Sequence, residues 1–423
     1  MVNNASPLHE DFYIPEIDLE DFEDYTIGGY HPTVIGDHFH DGRYEVVHKL
    51  GFGGYSTIWL ARDKRLQCYV SLKILVASES SKSTEGTILE MLRSGDSTHP
   101  GQRFTPRLLD DFSFDGPNGH HHCLVQEPAG CSIAASKEDS VNFMFPTETA
   151  RSTYHGGFLP ALPWNLHTRN FLLCGPDLDR LSSDELCNRY RLDKVPVTRV
   201  DGAAVEPHAP PYAVYPMHIK MSADKLMDSI VRISDYGTSF VVASEPSPEL
   251  HTPALYLPPE DFFNEPITQA ADIWTLAVNL YEVLGERALF ETFCWDRDDI
   301  IAEMVSTLGS PPARWWDAWE NRKEFFEPDG SWVRDMKRIY TPVFRPLNKR
   351  MWDMGRGEAP GSCQRDVKGG EMRALEELLR GMMAFEPAER LTAEQLIESE
   401  YMLKWAMPAW ERQLMTRRGD GLE

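Results

Sequence analysis

The 423-residue sequence lacks three features that would each define a class of protein. Its seven cysteines are scattered without a CxxC pair, which is typical of reduced intracellular thiols rather than of a disulfide framework. No apolar run is long enough to span a bilayer, and the acidic N-terminus lacks the basic start and apolar run of a signal peptide. We therefore expect a soluble protein of the cytoplasm or the nucleus, with no membrane partner.

Basic residues are also scarce, because 42 lysines and arginines stand against 66 acidic side chains and the formal net charge is −24. This charge disfavours direct binding of nucleic acid. It favours a cationic partner, although many soluble proteins are acidic only for solubility. Composition is otherwise that of a globular protein, with 42% hydrophobic and 26% charged residues. We expect a monomer.

The order of the local patterns predicts an α+β protein with a small β-rich lobe before a larger helical lobe. RYEVVHKLG, STIWLARD and QCYVSLKILV are rich in β-branched and aromatic residues, as strands are, and DDFSFDGPNGHHHCLVQE predicts two strands joined by a turn at residues 116–119. From about residue 130 helical patterns dominate, such as AADIWTLAVNLYEVLG, which ends at Gly285, and TAEQLIESEYMLKWA. Residues 175–225, rich in Asp, Pro and Ala, are predicted to be a loosely ordered inserted loop. The predicted segments are an acidic N-terminal extension (1–43), the β-rich lobe (44–127), the helical lobe (128–405, including the insert) and a C-terminal tail (406–423).

Three features of the β-rich region suit the binding of phosphate groups. The glycines of LGFGGYS (50–56) would let the backbone approach phosphate oxygens without a Cβ in the way. Lys73 lies in the strand pattern VSLK, where a lysine is costly to bury unless an anion meets it. Glu90, in the next helical pattern, could turn inward to that lysine, although a solvated helix face is the commoner place for such a residue. Protein kinases use this order of loop, lysine and glutamate to hold ATP phosphates.

Two motifs of the helical region extend this resemblance. Asp235 in ISDYG matches the D-F-G element of kinases, with tyrosine for phenylalanine, and supplies a hard oxygen ligand suited to Mg²⁺. Glu260 in PPE stands where kinases carry A-P-E, and Arg390 lies in FEPAERLTAEQL. The resemblance implies a buried ion pair between Glu260 and Arg390. So many motifs in one order predict the two-lobed protein kinase fold.

Segments outside these motifs resemble the SR-protein kinases, of the fungal type, over roughly residues 25–405. GGYHPTVIGDHFHDGRYEVVHKLGFGGYSTIWLARD resembles their entry segment, and ALFETFCWDRDDIIAEMVSTLGSPPARWW resembles an insert after their long helix. The resemblance implies ATP- and Mg²⁺-dependent phosphorylation of serine in Arg/Ser-rich splicing factors. The implied nucleotide-contacting residues are Leu50, Gly51, Phe52, Gly53, Gly54, Tyr55, Ser56, Thr57, Ile58, Lys73, Glu127 and Ala129, and the implied metal ligands are Asn170 and Asp235.

The catalytic loop departs from the family pattern H-x-D-L-x-x-x-N. The corresponding run is PWNLHTRN, so Pro163 replaces the histidine and Asn165 replaces the catalytic aspartate. Asn165, Lys73 and Glu90 are therefore the predicted catalytic set, with an amide at the position of the base. An amide can orient a hydroxyl but cannot take its proton, and loss of a positioned general base costs about 10²–10⁴ in rate.

The stretch before this loop is unusual as well. The helical start PTETARS is followed by TYHGGFLPALPW, whose glycines and prolines end the helix early. Two interpretations remain open. The chain is either a true pseudokinase, which binds nucleotide or an Arg/Ser-rich partner without catalysis, or a truncated or mis-spliced product of an active kinase gene. Because the damage is confined to one block beginning near residue 153, the second is favoured. Either way, we expect impaired activity.

Overall fold

The computed structural model describes residues 12–95, 100–153, 166–205, 207–237, 239, 250, 252–292, 296–333 and 343–419. They form two compact units, each treated separately below. Unit 1 draws on residues 1–95, 106–130 and 175–219, and unit 2 on residues 96–105, 131–174 and 220–423. Unit 1 is β-rich and unit 2 is mainly helical, which confirms the predicted α+β class.

The described strands are β1 (His38–Phe39), β2 (Tyr44–Gly53), β3 (Ser56–Asp63), β4 (Cys68–Leu75), β5 (Leu108–Gly116), β6 (Gly119–Gln126), β7 (Phe171–Leu173), β8 (Lys194–Pro196), β9 (Tyr212–Val214) and β10 (Val231–Ile233). The described α-helices are α1 (Ala77–Ser80), α2 (Glu85–Ser94), α3 (Ile133–Glu138), α4 (Thr147–Thr153), α5 (Ser183–Arg189), α6 (Pro259–Phe262), α7 (Ala270–Leu284), α8 (Arg297–Leu308), α9 (Ala313–Ala318), α10 (Leu347–Trp352), α11 (Glu371–Met382), α12 (Ala393–Ile397) and α13 (Met407–Gly419).

Unit 1 is built on an antiparallel sheet with the strand order β1-β2-β3-β4-β6-β5. Apolar residues alternate along its central strands and bury one face, as a period of two requires. The buried cluster of the sheet includes Tyr44, Val46, Trp59, Val70, Leu72, Ile74 and Val125. The hairpin predicted around residues 116–119 is confirmed, because β5 ends at Gly116 and β6 begins at Gly119.

The prediction of a loosely ordered insert at residues 175–225 is wrong for most of that stretch. It contains α5, which begins with a capping box between Ser182 and Glu185, and the paired strands β8 and β9. The physical reason is burial, because Leu186 and Val214 are fully buried despite the Pro- and Ala-rich surroundings. The insert also belongs to unit 1 as far as residue 219, whereas the sequence placed it in the helical lobe.

Unit 2 is organised around α7, whose predicted end at Gly285 is confirmed. A Cβ at Gly285 would lie 2.7 Å from the Cβ of Met354, so close packing requires glycine there. The pattern TAEQLIESEYMLKWA predicted one continuous helix, but α12 ends at Ile397 and a π-helical turn, Met402–Ala406, leads into α13. Within the described ranges, no helix has the length and apolar character needed to cross a membrane.

Candidate active site

The glycine-rich loop is the tip of the β2–β3 hairpin in unit 1. Gly51 lies opposite Ile58, Phe52 opposite Thr57 and Gly53 opposite Ser56. Gly51, Gly53 and Gly54 do not have the positive φ that would demand glycine, and a Cβ on any of them would meet no atom within 4 Å. Neither the turn nor crowding by the protein explains these glycines, so the open space beside them suits close approach of a ligand.

Lys73 of β4 forms the central ion pair of this half of the site. Its ammonium Nζ lies 2.9 Å from Oε1 and 2.7 Å from Oε2 of Glu85, the first residue of α2. Both side chains are mostly buried, with exposed fractions of 13% for Lys73 and 2% for Glu85. The pair therefore holds the lysine in one place on the sheet, directly opposite Ile58 in the β3–β4 register.

The prediction that Glu90 meets Lys73 is wrong. Glu90 is exposed, and its carboxylate accepts hydrogen bonds from the guanidinium of Arg93 at 2.6 Å and 2.9 Å. Glu85 and Glu90 are five residues apart, which is about 140° around a helix. Glu85 shares its face with buried Ile88 and Leu89, three and four residues on, and this spacing was visible in the sequence.

The other predicted nucleotide-contacting residues lie around the same sheet. Leu50, Phe52, Gly54 and Tyr55 belong to the hairpin tip, where Phe52 and Tyr55 are exposed, whereas Ser56 and Thr57 are buried at the start of β3. Thr57 is fixed by a 3.0 Å hydrogen bond that its Oγ1 accepts from Trp59 Nε1. Glu127 and Ala129 follow the end of β6 and are half-buried. The fold therefore places the glycine-rich loop, Lys73 and the segment that follows β6 on the same sheet.

In unit 2, Asn170 and Asp235 lie beside the paired strands β7 and β10. The carbonyl oxygen of Asn170 accepts hydrogen bonds from the N–H of Ser234 at 2.8 Å and from its hydroxyl at 3.0 Å. Asp235 has a φ of +64°, a left-handed conformation that is uncommon for aspartate and often found at functional sites. Amide and carboxylate oxygens are hard ligands, and Mg²⁺ commonly takes only one or two carboxylates with phosphate and water.

The described part of the catalytic loop begins at Leu166, because Pro163 and Asn165 lie outside the described residues. The carbonyl of Leu166 accepts a 3.1 Å hydrogen bond from Nδ2 of Asn279, which is buried in α7. His167 is the next residue of the loop. Burial lowers its pKa to about 4, and the smaller effect of the Asp235 carboxylate, which raises this pKa, does not offset that shift. His167 is therefore neutral at pH 7, a property that the sequence alone did not indicate.

A network of hydrogen bonds holds Thr168, the residue after His167. The Thr168 hydroxyl donates to Glu282 Oε1 at 3.2 Å and lies 3.1 Å from the hydroxyl of Tyr256, which in turn donates to Glu282. Burial and the Glu282 carboxylate both raise the pKa of the Tyr256 phenol. The loop end that carries Asn170 is therefore attached to α7 at two points, Asn279 and Glu282.

The predicted ion pair of unit 2 is confirmed. Two guanidinium nitrogens of Arg390 donate to Glu260 at 2.8 Å and 2.5 Å, and both side chains are fully buried. Arg390 also donates to the carbonyl oxygens of Ala270 and Ala384. This bidentate geometry satisfies a buried carboxylate that would otherwise be costly.

Comparison with known proteins gives one domain match and several relatives. Residues 220–402 match the family described as protein kinase domain. The chain is 46% identical over 114 residues to Protein kinase dsk1 of Schizosaccharomyces pombe, covering 26% of this chain and 21% of dsk1. It is 42% identical over 114 residues to SRSF protein kinase 3 of Homo sapiens, covering 26% of this chain and 20% of that protein.

Another relative matches over a longer part of the chain but at lower sequence identity. The chain is 23% identical over 400 residues to a serine/threonine protein kinase of Aspergillus fumigatus, covering 92% of this chain and 91% of that protein. By contrast, the chain spans only about a fifth of the length of dsk1 and SRSF protein kinase 3 in the matches to them. With the β-rich unit 1 and the helical unit 2, these matches confirm the predicted two-lobed fold and family resemblance.

Proposed function

Because the chain carries a protein kinase domain with relatives among the SR-protein kinases, we propose that it is an ATP-dependent serine/threonine protein kinase. Its substrate would be serine in Arg/Ser-rich proteins, and its rate would be lowered by Asn165. The observation that carries this proposal is the ion pair of Lys73 and Glu85. A buried lysine held by a carboxylate, on the same sheet as an open glycine-rich loop, is suited to orienting phosphate groups.

Each unit would contribute its own residues to the reaction. In unit 1, the backbone at Gly51 and Gly53 would contact phosphate oxygens while Glu85 keeps the Lys73 ammonium oriented toward them. In unit 2, the amide of Asn170 and the carboxylate of Asp235 would hold Mg²⁺. Bound ATP and Mg²⁺ supply the phosphoryl group and much of the charge stabilisation, so these residues act mainly by positioning.

The substrate class rests on weaker support. The net charge of −24 suits a cationic, Arg-rich substrate. One relative is named as a kinase of SRSF proteins, and the entry segment resembles that of the same family. We place the activity in the cytoplasm or the nucleus on the scattered cysteines and the acidic N-terminus.

Asn165 supports a second candidate function, that of a pseudokinase. The amide cannot accept the proton of a substrate hydroxyl, while Lys73, Glu85, Asn170 and Asp235 are all present to hold nucleotide. Such a chain would bind nucleotide, or an Arg/Ser-rich partner, without transferring phosphate. The two candidate functions differ in one measurable property, which is whether Asn165→Asp restores phosphate transfer.

The test compares the wild type with Asn165→Asp in two assays. Thermal shift with ATP and Mg²⁺ measures binding, and radiolabel transfer to an Arg-Ser repeat peptide measures chemistry, with a Glu-Ser peptide of equal length as control. We expect a nucleotide shift in both proteins and transfer that rises by about 10²-fold or more in the variant. A shift without transfer in either protein would support the pseudokinase, and no shift would overturn nucleotide binding altogether.

A second variant tests whether activity is lowered by the substitution at Asn165 alone or also by a missing segment before it. Restoring a full helix between residues 153 and 163, together with aspartate at 165, tests the interpretation of a mis-spliced product. Sequencing the transcript across codons 150–166 provides the matching observation, because a skipped or retained segment would be visible there.

A further inference from the structure

The N-terminal segment and the insert fold together in unit 1. The N–H of Ile14 donates to the carbonyl of Thr198 and the N–H of Val200 to that of Phe12, each at 2.9 Å. Between these two hydrogen bonds, Tyr13 and Arg199 form an antiparallel β-bridge. We call the described residues of 12–30 and 194–214 the N-terminal–insert cluster. With Val76, which directly follows β4, its buried apolar members are Tyr13, Leu19, Phe22, Tyr25, Tyr30, Val197, Ala209 and Ala213.

One buried amide fixes this cluster to the tip of the β5–β6 hairpin. Asn118 Nδ2 donates to the carbonyl of Tyr30 at 2.6 Å and to that of His208 at 2.8 Å. The backbone carbonyl of Asn118 accepts a hydrogen bond from the N–H of Gly28 at 2.7 Å. Because Asn118 is fully buried, losing these bonds would leave several polar groups unsatisfied. Asn118 therefore links Tyr30 and Gly28 of the N-terminal segment to His208 of the insert.

A buried ion pair joins the cluster to β2 just before the glycine-rich loop. Lys49 pairs with Glu20, which also accepts a 2.6 Å hydrogen bond from the Tyr25 hydroxyl. Burial lowers the pKa of Lys49, and the Glu20 carboxylate opposes that shift. The Lys49 ammonium lies 5.4 Å from the ring centroid of Phe52, within the range of a cation–π contact.

The loop itself is bound at two backbone carbonyls. The Tyr30 hydroxyl donates to the carbonyl of Gly53 at 2.9 Å, and the N–H of Val76 donates to that of Tyr55 at 3.0 Å. Gly53, Gly54 and Tyr55 are otherwise exposed. A hairpin tip of glycines with no side-chain packing would ordinarily sample many conformations. Here a phenol from outside the sheet restricts that freedom.

We propose that Tyr30 is a positioning residue for the glycine-rich loop, through which the N-terminal–insert cluster prepares the loop for the phosphates of ATP. This inference rests on the proposed function, since it requires the loop to bind phosphate. A loop that is ordered before binding loses less conformational entropy when the ligand arrives. Affinity for ATP therefore depends on an N-terminal segment and an insert that lie outside the kinase motifs described above.

The first experiment uses hydrogen exchange in the nucleotide-free protein, so that it does not depend on ATP. It compares Tyr30→Phe with Tyr215→Phe, because both tyrosines pack in the same cluster but the Tyr215 hydroxyl donates to Glu16 rather than to the loop. We expect amide exchange at residues 51–57 to be about two- to tenfold faster in Tyr30→Phe and unchanged in Tyr215→Phe. Equal exchange in wild type and Tyr30→Phe, or equal acceleration in both variants, would overturn the proposal.

The second experiment measures dissociation constants for Mg-ATP and for adenosine by calorimetry on the same proteins. Tyr30→Phe should weaken ATP binding about two- to tenfold and leave adenosine, which has no phosphates, within twofold of the wild type. Tyr215→Phe should leave both constants within twofold. Faster loop exchange with unchanged ATP affinity, or an equal loss for both ligands, would contradict positioning of the phosphate loop. If the wild type binds no ATP, the proposed function fails, whereas the exchange data still decide whether Tyr30 orders the loop.

Discussion

The ammonium of Lys73 lies 2.7 Å and 2.9 Å from the two carboxylate oxygens of Glu85, while Glu90 pairs with Arg93 on the exposed side of the same helix. We predict that Glu85→Gln removes most of the thermal stabilisation by Mg-ATP and lowers any phosphate transfer at least tenfold. The reason is that Lys73 loses the charge that orients it. Thermal shift with titrated nucleotide measures this effect.

Glu90→Gln is the matched control, since it makes the same chemical change five residues along α2. Because Glu90 is exposed, we expect both the nucleotide shift and the melting temperature without nucleotide to stay at the wild-type values. A larger effect of Glu90→Gln than of Glu85→Gln on nucleotide binding would refute the assignment.

The buried pair of Glu260 and Arg390 leads to a prediction about stability. Arg390→Ala leaves the Glu260 carboxylate buried without its partner, which should cost about 3–5 kcal/mol in the free energy of unfolding. Chemical denaturation monitored by tryptophan fluorescence measures the loss. Arg314→Ala is the control, because Arg314 is about half exposed and pairs with Glu265 and Glu386 at the surface. That variant should lose no more than about 1 kcal/mol.

His31 makes unit 1 sensitive to acid. Its ring packs edge-on to His121, Phe39 and Phe114, and burial, with a smaller effect of His121, lowers its pKa to about 3. Between pH 6.5 and 3 the unfolded chain therefore binds a proton at His31 that the folded chain does not, so stability falls as pH falls through this window. His31→Phe should flatten the dependence of the melting temperature on pH.

His120→Phe is the control for the acid experiment. That ring is exposed and pairs only with the exposed Asp115 among the contacts described, so its replacement should leave the slope of melting temperature against pH unchanged. An equal flattening by both substitutions would show that the acid sensitivity does not come from the buried ring.

The start of the insert depends on Asp179. Its carboxylate accepts a 2.6 Å hydrogen bond from the N–H of Tyr69 in β4, and the Tyr69 hydroxyl donates to the carbonyl of Leu181. Asp179→Ala should accelerate amide exchange across α5 about two- to tenfold, because the partly buried N–H loses its acceptor. Asp115→Ala is the control, because it removes an exposed carboxylate of unit 1 that pairs with His120 and does not touch the insert, and it should leave α5 unchanged. Equal protection of α5 in all three proteins would contradict this anchoring.

The sequence alone predicted much of the fold because its signals are local. The period-two strands, the end of α7 at Gly285 and the hairpin at residues 116–119 depend only on nearby residues. The pair of Glu260 and Arg390 was predicted from motif order. The prediction for Glu90 was wrong because apolar neighbours on either side of a residue do not show which helix face is buried, whereas Glu85 shares the buried face of α2 with Ile88 and Leu89.

The insert was misjudged for a different physical reason. Its Pro- and Ala-rich composition resembles that of a loop, but Val197, Ala209 and Ala213 are buried against aromatic residues of the N-terminal segment. No pattern within the insert reports a partner that distant in sequence. The same limit hid Tyr30, because its hydroxyl bonds to Gly53, 23 residues along the chain, and its backbone carbonyl accepts from Asn118, 88 residues along.

The bridge between Tyr13 and Arg199 also sets an order of events during protein synthesis. About 190 residues separate the two strands of this bridge, so at typical translation rates of 5–20 residues per second the N-terminal segment waits about 10–40 s for its partner. Throughout that interval its aromatic side chains lack the surface that later covers them. The nascent chain is therefore open to chaperone binding at residues 12–30 until the insert has left the ribosome.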